Sequence, residues 1–169
     1  MGADCVPVFF VDTEKRIVAA SHAGWKGTVE DIAGVTVNMM SEKFGSDPKD
    51  IKAVIGPSIC MDCYEVSEDV ASRFMERYSA LDGECCKAAF GSKSAQVVRP
   101  ASSVFDNNPT GKYFLNLWEA NRLNLLNAGL DPENIEISEY CTKCHPDMLF
   151  SHRYHGENRG VNIGFIYIV

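Results

Sequence analysis

Two apolar runs separated by four polar residues limit, more than any other feature, how this chain can fold. The runs are Cys5–Val11 and Arg16–His22, and Asp12–Lys15 lies between them. β-Branched and aromatic residues dominate both runs, and the polar break is short, so the sequence predicts an antiparallel hairpin. Counted outward from the middle of the turn, Cys5 faces His22 at the open end of this hairpin.

The predicted pairing brings a thiol and an imidazole together. Directly opposed residues in an antiparallel pair have Cβ atoms about 5 Å apart. Both groups bind transition metals, and together they also suit nucleophilic catalysis. A shift of one residue in the register would place Cys5 and His22 on opposite faces of the sheet. The alternative is structural, because a strand cysteine is commonly a small core residue.

A glycine-bearing turn follows the hairpin. Residues 23–28 predict a strand-to-helix turn, and the helix is expected over Thr28–Phe44 with Gly45 as its C-cap. Gly24 lies in a turn at the N-terminus of the predicted helix, where backbone N–H groups are left free and favour an anion. Lys26 adds a positive charge there. The sequence therefore predicts a phosphate seat beside the metal ligands, although simple turn geometry and a solvated lysine explain the same residues.

Length, charge and cysteine content narrow the class of protein. The chain has 169 residues, a net charge of −7 and seven cysteines. We expect one domain over residues 1–169. Without a dense basic run or a long apolar run, neither a nucleic-acid surface nor a membrane span is expected. Without an export signal at the start of the sequence, the cysteines are expected as thiols in the cytoplasm.

The rest of the chain mixes strands and helices. Strands are predicted at Ile51–Ile55, Lys112–Leu115, Asn134–Ser138 and Val161–Val169, and helices at Glu68–Tyr78, capped by Ser67, and at Leu117–Ala128, capped by Gly129. Residues 81–100, with Cys85 and Cys86, have no clear pattern. The fold class predicted is α/β or α+β, a layered mixed β-sheet with flanking helices.

Two Cys-x-x-Cys pairs offer a second set of metal ligands. Cys60 and Cys63 form one pair, and Cys141 and Cys144 form the other. Four thiolates of this kind can build a structural zinc site. The second pair, followed by His145, also matches the attachment motif of c-type haem, which the missing export signal disfavours, and a redox pair is a further interpretation.

A short polar segment near the end of the chain is rich in cationic side chains. Residues 151–156 contain His152, Arg153 and His155. The Arg153 guanidinium would suit an anionic ligand through two parallel hydrogen bonds. A neutral surface loop is the alternative.

Five motifs in order along the chain resemble the laccase-domain family, also called multicopper polyphenol oxidase or YfiH-like proteins. They are residues 3–5, 22–27, 55–57, 63–66 and 141–147. The resemblance implies a layered α/β fold similar to the cysteine-hydrolase domain of cytotoxic necrotising factor toxins. It also implies purine nucleoside phosphorylase activity with adenosine deaminase activity, or the copper-dependent oxidation of phenols.

The resemblance assigns metal ligands residue by residue. The family holds its metal with one cysteine and two histidines, and two of these match Cys5 and His22. The first histidine belongs to an upstream segment with no counterpart in this sequence, so the N-terminal part of the family domain is expected to be missing. The extra ligand is then expected from within the chain, at His145, His152 or His155, with Cys141 and Cys144 as further candidates, or from a second subunit of a homo-oligomer.

Two positions depart from the family pattern. The family often has arginine where Lys26 stands, which keeps the charge but loses the planar fork of donors. It often has Arg-Arg-Asp-Gly where this chain has Arg153-Tyr154-His155-Gly156. The substrate contacts made by the second arginine and the acid are therefore not expected here.

The leading hypothesis implied by the resemblance is a zinc-dependent enzyme that cleaves inosine, adenosine or guanosine with phosphate and also deaminates adenosine. Cys5 and His22 would hold the zinc, Lys26, Gly24 and Arg153 would bind the substrate or phosphate, and Asp4 would move a proton or orient the site. The alternatives are a copper-dependent polyphenol oxidase acting on phenols and an inactive metal-binding domain.

Overall fold

The hairpin at the start of the chain forms one side of a four-stranded sheet in the computed structural model, which describes residues 2–79, 98–100 and 112–169. The described strands are β1 (Val6–Asp12), β2 (Ile17–Ala23), β3 (Ile51–Ile55), β4 (Glu65–Ser67), β5 (Val98–Pro100), β6 (Lys112–Leu115) and β7 (Ile135–Ile137). The larger sheet has the order β2-β1-β3-β7, and only its β3–β7 pair is parallel. A second, antiparallel sheet has the order β4-β6-β5.

Helices flank the sheets, as the predicted fold class requires. They are α1 (Trp25–Val29), α2 (Ile32–Phe44), α3 (Glu68–Ser79), α4 (Leu117–Asn127) and α5 (His152–His155), with short 3₁₀ turns at Met61–Cys63, Pro132–Asn134 and Gly156–Asn158. Among the described residues, every helix is too short or too polar to cross a bilayer. The mixed α/β architecture predicted from the sequence is confirmed.

The predicted helix over Thr28–Phe44 is wrong as a single element. The chain forms α1 first, turns at Glu30, and starts α2 after Asp31. Asp31 has φ 62°, a left-handed backbone that interrupts a helix, and its carboxylate accepts a hydrogen bond of 2.9 Å from the N–H of Gly34. An aspartate that caps a new helix therefore outweighs the continuous apolar pattern.

One face of the larger sheet forms the core. Alternate residues of β1, starting at Val6 and ending at Asp12, are buried, and β3 alternates in the same way. Helix α2 packs on this face with Ala33, Val37 and Met40, all at most 1% exposed. The period of two in the strands and the helical spacing in α2 meet there, because each element buries its apolar side against the other.

Most of the other predicted elements are confirmed within a residue or two. Strands β3 and β6 have the predicted bounds, α3 and α4 begin where expected, and Gly129 follows α4 with φ 97°. Cys85, Cys86 and most of the unpatterned stretch lie outside the described residues.

The strand predicted over Val161–Val169 is wrong. Within the described part of the chain, this segment pairs only at Asn162, which exchanges two backbone hydrogen bonds with Gly2. Its apolar side chains, including those of Ile163, Phe165 and Tyr167, are exposed. Alternating apolar residues show that a segment can form a strand, but a strand also needs a partner along its length.

Candidate active site and four-cysteine cluster

The register of the hairpin corrects the first prediction. His22 lies opposite Pro7, and Asp12 lies opposite Ile17, so Cys5 does not face His22. The turn is longer than predicted because the Asp12 carboxylate accepts a 2.8 Å hydrogen bond from the Lys15 N–H. The pairing is shifted by two residues relative to the predicted one.

A shift of two residues keeps Cys5 and His22 on the same face, because side chains alternate with a period of two. The two side chains converge on Gly24: a Cβ built there would lie 3.1 Å from Cys5 Sγ and 3.9 Å from His22 Nε2. At Gly2 a Cβ would lie 3.0 Å from His22 Cε1 and 3.6 Å from Cys5 Cβ. The thiol and the imidazole are therefore diagonal neighbours that share one small space.

This space opens into a pocket of about 280 Å³ on the outer face of the sheet. Cys5 and His22 line it, together with Phe9, Leu149 and Asn162. The walls are mainly apolar. Such a composition is typical of small-molecule sites.

Asp4 is held beside Cys5 by three hydrogen bonds. Its carboxylate accepts hydrogen bonds of 2.7 Å from the Thr142 hydroxyl and 2.9 Å from the Arg153 N–H. Its backbone carbonyl accepts a hydrogen bond of 3.1 Å from the Ile59 N–H. Asp4 is 8% exposed and has φ 79°, an unfavourable backbone for a residue with a side chain. These contacts support an orienting role for Asp4, because both carboxylate oxygens are already engaged.

The environment of the Cys5 thiol is partly buried and includes charges of both signs. Burial raises the pKa of Cys5, the Asp4 carboxylate raises it further, and the Arg159 guanidinium acts in the opposite direction. Burial and the Asp4 charge therefore favour the protonated thiol, and a metal ion bound here would have to displace that proton. Arg159 was not predicted from the sequence, because nothing in its local pattern distinguishes it from a solvated surface arginine.

The helix after the glycine turn starts earlier than predicted. Gly24 is the N-cap of α1, which makes Lys26 part of the helix, but α1 has only five residues. The Lys26 ammonium lies 5.5 Å from the centre of the Trp25 ring, and the Arg73 guanidinium lies 5.8 Å from the same ring. An anion at the predicted site would therefore be attracted mainly by these cations, because a five-residue helix has only a weak dipole.

Arg153 contacts both Asp4 and the start of the second sheet. Its guanidinium donates a 2.8 Å hydrogen bond to the Glu65 carbonyl and lies 5.0 Å from the centre of the Tyr64 ring. The Arg153 side chain is otherwise exposed. The N–H groups of the Arg153 guanidinium that do not contact Glu65 could donate to an anion.

The structure does not bring the candidate extra histidines to Cys5 and His22. His145 Nδ1 lies 3.0 Å from the Cys141 carbonyl, His155 Nδ1 lies 3.1 Å from the Ser151 carbonyl, and His152 is exposed. In the part of the chain that the structure describes, only the four-cysteine set gathers three or more Cys, His, Asp or Glu ligand atoms.

That set consists of Cys60, Cys63, Cys141 and Cys144, whose sulfur atoms all lie within 4.8 Å of one another. Cys141 and Cys144 therefore do not join Cys5 and His22 as ligands of one ion. The geometry fits the interpretation in which the two Cys-x-x-Cys pairs form one site. The cluster could bind a metal ion.

Electrostatics distinguish the members of the cluster. Burial and the neighbouring Cys141 thiol raise the pKa of Cys60 to about 11. Burial also opposes ionisation of Cys141, but the N–H groups of Cys60 and Cys144 lower the pKa of Cys141 to about 7. The N–H of Cys60 donates to Cys141 Sγ over 3.3 Å. The Cys141 thiol therefore ionises more readily than the Cys60 thiol.

Comparisons with known proteins identify the family of this chain and its relatives. The family model described as "Multi-copper polyphenol oxidoreductase laccase" matches residues 1–169. The "Purine nucleoside phosphorylase YlmD" of Bacillus subtilis is 41% identical over 166 residues, which are 97% of this chain and 52% of that protein. The "Adenosine deaminase RL5" of an unknown prokaryotic organism is 39% identical over 165 residues, covering 98% of this chain and 55% of that protein.

A solved structure has the same fold. The "hypothetical protein YfiH" of Bacillus licheniformis superposes with a TM-score of 0.72 at 37% identity, over 89% of this chain and 49% of that one. The chain therefore spans about half the length of the relatives that it matches.

Proposed function

Because this chain belongs to the multi-copper polyphenol oxidoreductase laccase family, we propose that it carries the metal-binding and substrate-binding side chains of a purine nucleoside enzyme. The reaction is phosphorolysis of inosine, adenosine or guanosine, with deamination of adenosine as a second activity. The printed names of the two relatives support this substrate class. The observation that carries the proposal is the convergence of Cys5 and His22 on the space left by Gly24.

The donor atoms fit a zinc ion. A thiolate and an imidazole are among its usual ligands, and the space at Gly24 is free of a side chain. Bound there, zinc would supply a Lewis acid for an oxygen of water or phosphate. A further ligand is needed. All four histidines of this sequence lie among the described residues, and the other three lie away from Cys5 and His22, so a histidine of a second subunit would supply it.

The protein's own residues then place the substrates. The pocket walls, with Phe9 and Leu149, receive the apolar faces of the base and the ribose. The cations of Lys26, Arg153 and Arg159 attract phosphate to the open end, where Cys5 and His22 lie. The hydrogen bonds of Asp4 hold the backbone beside Cys5, so the Cys5 sulfur would already lie at the space beside Gly24 before substrate binds.

The decisive experiment follows hypoxanthine from inosine and phosphate, and ammonia from adenosine, with zinc-loaded protein. We expect His22→Ala to lower kcat/KM by at least about 100-fold, since loss of an outer-shell partner alone costs up to that much. Lys43→Ala, in the last turn of α2, is the control and should keep full activity. Equal turnover by wild type and His22→Ala rejects the proposed site.

A copper-dependent phenol oxidase is the second candidate, favoured by the donor chemistry of Cys5 and His22, which also suits copper. It predicts bound copper and phenol oxidation that survive removal of loosely held metal. Stoichiometric metal without turnover of nucleosides or phenols would instead identify an inactive metal-binding domain.

A further inference from the structure

We propose that the four-cysteine cluster holds one structural zinc ion, and that this ion holds Asp4 in place beside Cys5. The zinc part of this inference stands by itself, while its effect on turnover rests on the proposed function. The ion would be separate from the one at Cys5 and His22 and would have no contact with substrate.

The geometry of the cluster suits a single tetrahedral ion. Zinc–sulfur bonds of about 2.3 Å place the four sulfurs of such a site about 3.8 Å apart. The sulfurs here lie within 4.8 Å of one another, and Cys63 Sγ is 3.5 Å from Cys144 Sγ. A cluster of several iron atoms would hold its cysteines further apart. None of the four cysteines lines the pocket at Cys5.

The ion would join two segments that are distant in sequence. Cys60 and Cys63 follow β3, and Cys141 and Cys144 follow β7, the parallel neighbour of β3. The two chains continue side by side past the sheet: the Ser58 N–H donates to the Tyr140 carbonyl over 3.1 Å, and the Thr142 N–H donates to the Ser58 carbonyl over 3.2 Å. Four ligands at this edge would fix the spacing of both segments.

Each segment also holds Asp4. Ile59, which donates to the Asp4 carbonyl, precedes the first ligand, Cys60, and Thr142, which donates to the Asp4 carboxylate, follows Cys141. Asp4 has an unfavourable positive φ and needs outside contacts to keep it. Two of its three contacts therefore come from residues next to a proposed zinc ligand, and Cys5 follows Asp4 directly. This makes Thr142 a positioning residue.

Zinc content and ligand type test the first part. We expect Cys144→Ser to bind about one zinc fewer than wild type, while Cys144→His, which keeps a zinc ligand, and Cys5→Ser both retain that ion. Cobalt(II) should give the absorption of a tetrahedral tetrathiolate site in Cys5→Ser but not in Cys144→Ser. Unchanged zinc content in Cys144→Ser, or iron in place of zinc, would overturn the site.

Hydrogen exchange tests the link to Asp4. The amides of Ile59 and Arg153, both donors to Asp4, should exchange at least about tenfold faster in Cys144→Ser, while amides in the middle of α4 keep their protection. If Cys144→Ser does not fold, the same comparison is made between wild type with zinc and wild type treated with a chelator. Loss of zinc with unchanged exchange at both amides would refute the link.

Turnover provides a separate readout. Thr142→Val keeps the zinc ligands but removes the hydroxyl donor, and we expect kcat for inosine phosphorolysis to fall about tenfold with KM and zinc content unchanged. Thr142→Ser should restore kcat. A Thr142→Val enzyme with normal kcat contradicts the positioning role. If wild type itself turns over no nucleoside, the proposed function fails. Zinc content and amide hydrogen exchange still test whether the four-cysteine cluster binds zinc and holds Asp4 in place.

Discussion

At the scale of single residues, Gly24 leaves room for two donor atoms that a larger residue would displace. Its backbone, at φ −67° and ψ 174°, is one that any residue can adopt. The glycine is therefore not needed for conformation. It is needed because the Cys5 sulfur lies 3.1 Å from where a Cβ would stand, closer than ordinary van der Waals contact.

We therefore predict that Gly24→Ala weakens zinc binding at Cys5 and His22 by about tenfold or more, by pushing the sulfur away from the imidazole. The unfolding temperature should change little, since the backbone conformation is compatible with alanine. Isothermal titration and thermal denaturation of the same sample measure both. Normal zinc affinity in Gly24→Ala would mean that the two ligands meet somewhere else.

Asp12 illustrates a second residue-scale effect, on acid stability. Burial opposes its ionisation, but the hydrogen bond from the Lys15 N–H and other donors lower the pKa of Asp12 below its usual value. A carboxylate with a lowered pKa stabilises the fold above its unfolded-state pKa, and that stability is lost as the pH falls through the folded value.

Asp12→Asn should therefore reduce the free energy of unfolding by about 1 kcal/mol at neutral pH and flatten its decline below about pH 4. Urea denaturation at a series of pH values measures this. Glu14→Gln, in the same turn but exposed, is the matched control and should leave the profile as in wild type. A decline equally steep in Asp12→Asn would assign the acid sensitivity to other carboxyls.

At the scale of elements, a buried polar network joins three helices behind the site. The Asn124 side chain in α4 donates a hydrogen bond of 2.8 Å to the Thr28 carbonyl of α1. It also accepts a hydrogen bond of 3.0 Å from the hydroxyl of Tyr78 in α3. Asn124 is fully buried, so each of these bonds replaces one to water. The network fixes the position of α1, the helix that Gly24 caps.

We expect Asn124→Ala to lower the free energy of unfolding by about 2–3 kcal/mol, because it leaves buried polar groups of α1 and α3 without a partner. Asn127→Ala, exposed at the end of the same helix, should change stability by less than about 0.5 kcal/mol. Chemical denaturation compares the two, and equal effects would show that the network does not stabilise the fold.

At the scale of the whole molecule, the first described residue, Gly2, meets Asn162 at the pocket. Asn162 and Gly2 exchange backbone hydrogen bonds of 2.9 and 3.1 Å. The Asn162 side chain also bonds both backbone groups of Phe150, at 2.9 and 2.7 Å. One residue thus connects the N-terminal segment, the loop after Phe150 and the pocket wall.

Asn162→Ala should speed amide exchange at Phe150 by about tenfold or more and reduce nucleoside turnover, since the wall near Cys5 loses its support. Asn162→Asp, which keeps only the acceptor, should lie between Asn162→Ala and wild type. Asn158→Ala, exposed in the same loop, is the control. Unchanged exchange at Phe150 would show that the backbone bonds alone close this contact.

Much of the secondary structure was predictable, because it depends on neighbours in sequence. The alternation in β1 and β3 and the cap at Gly45 are local, and so are their energies. The interruption at Asp31 and the two-residue shift of the hairpin were missed, because in each case an aspartate side chain binds a nearby N–H and changes the backbone path. A hydrophobic pattern does not report that choice.

The sequence by itself determined which residues could serve: a thiol and an imidazole at one end of a hairpin, and two Cys-x-x-Cys pairs 81 positions apart. Only the tertiary structure decided how they combine. It placed Cys5 and His22 around the same space at Gly24, gathered the four other described cysteines at the edge of the β3–β7 pair, and left His145 and His155 beside backbone groups of Cys141 and Ser151. The physical reason is that ligand chemistry belongs to each side chain, whereas the distance between ligands depends on strand pairing across the whole chain.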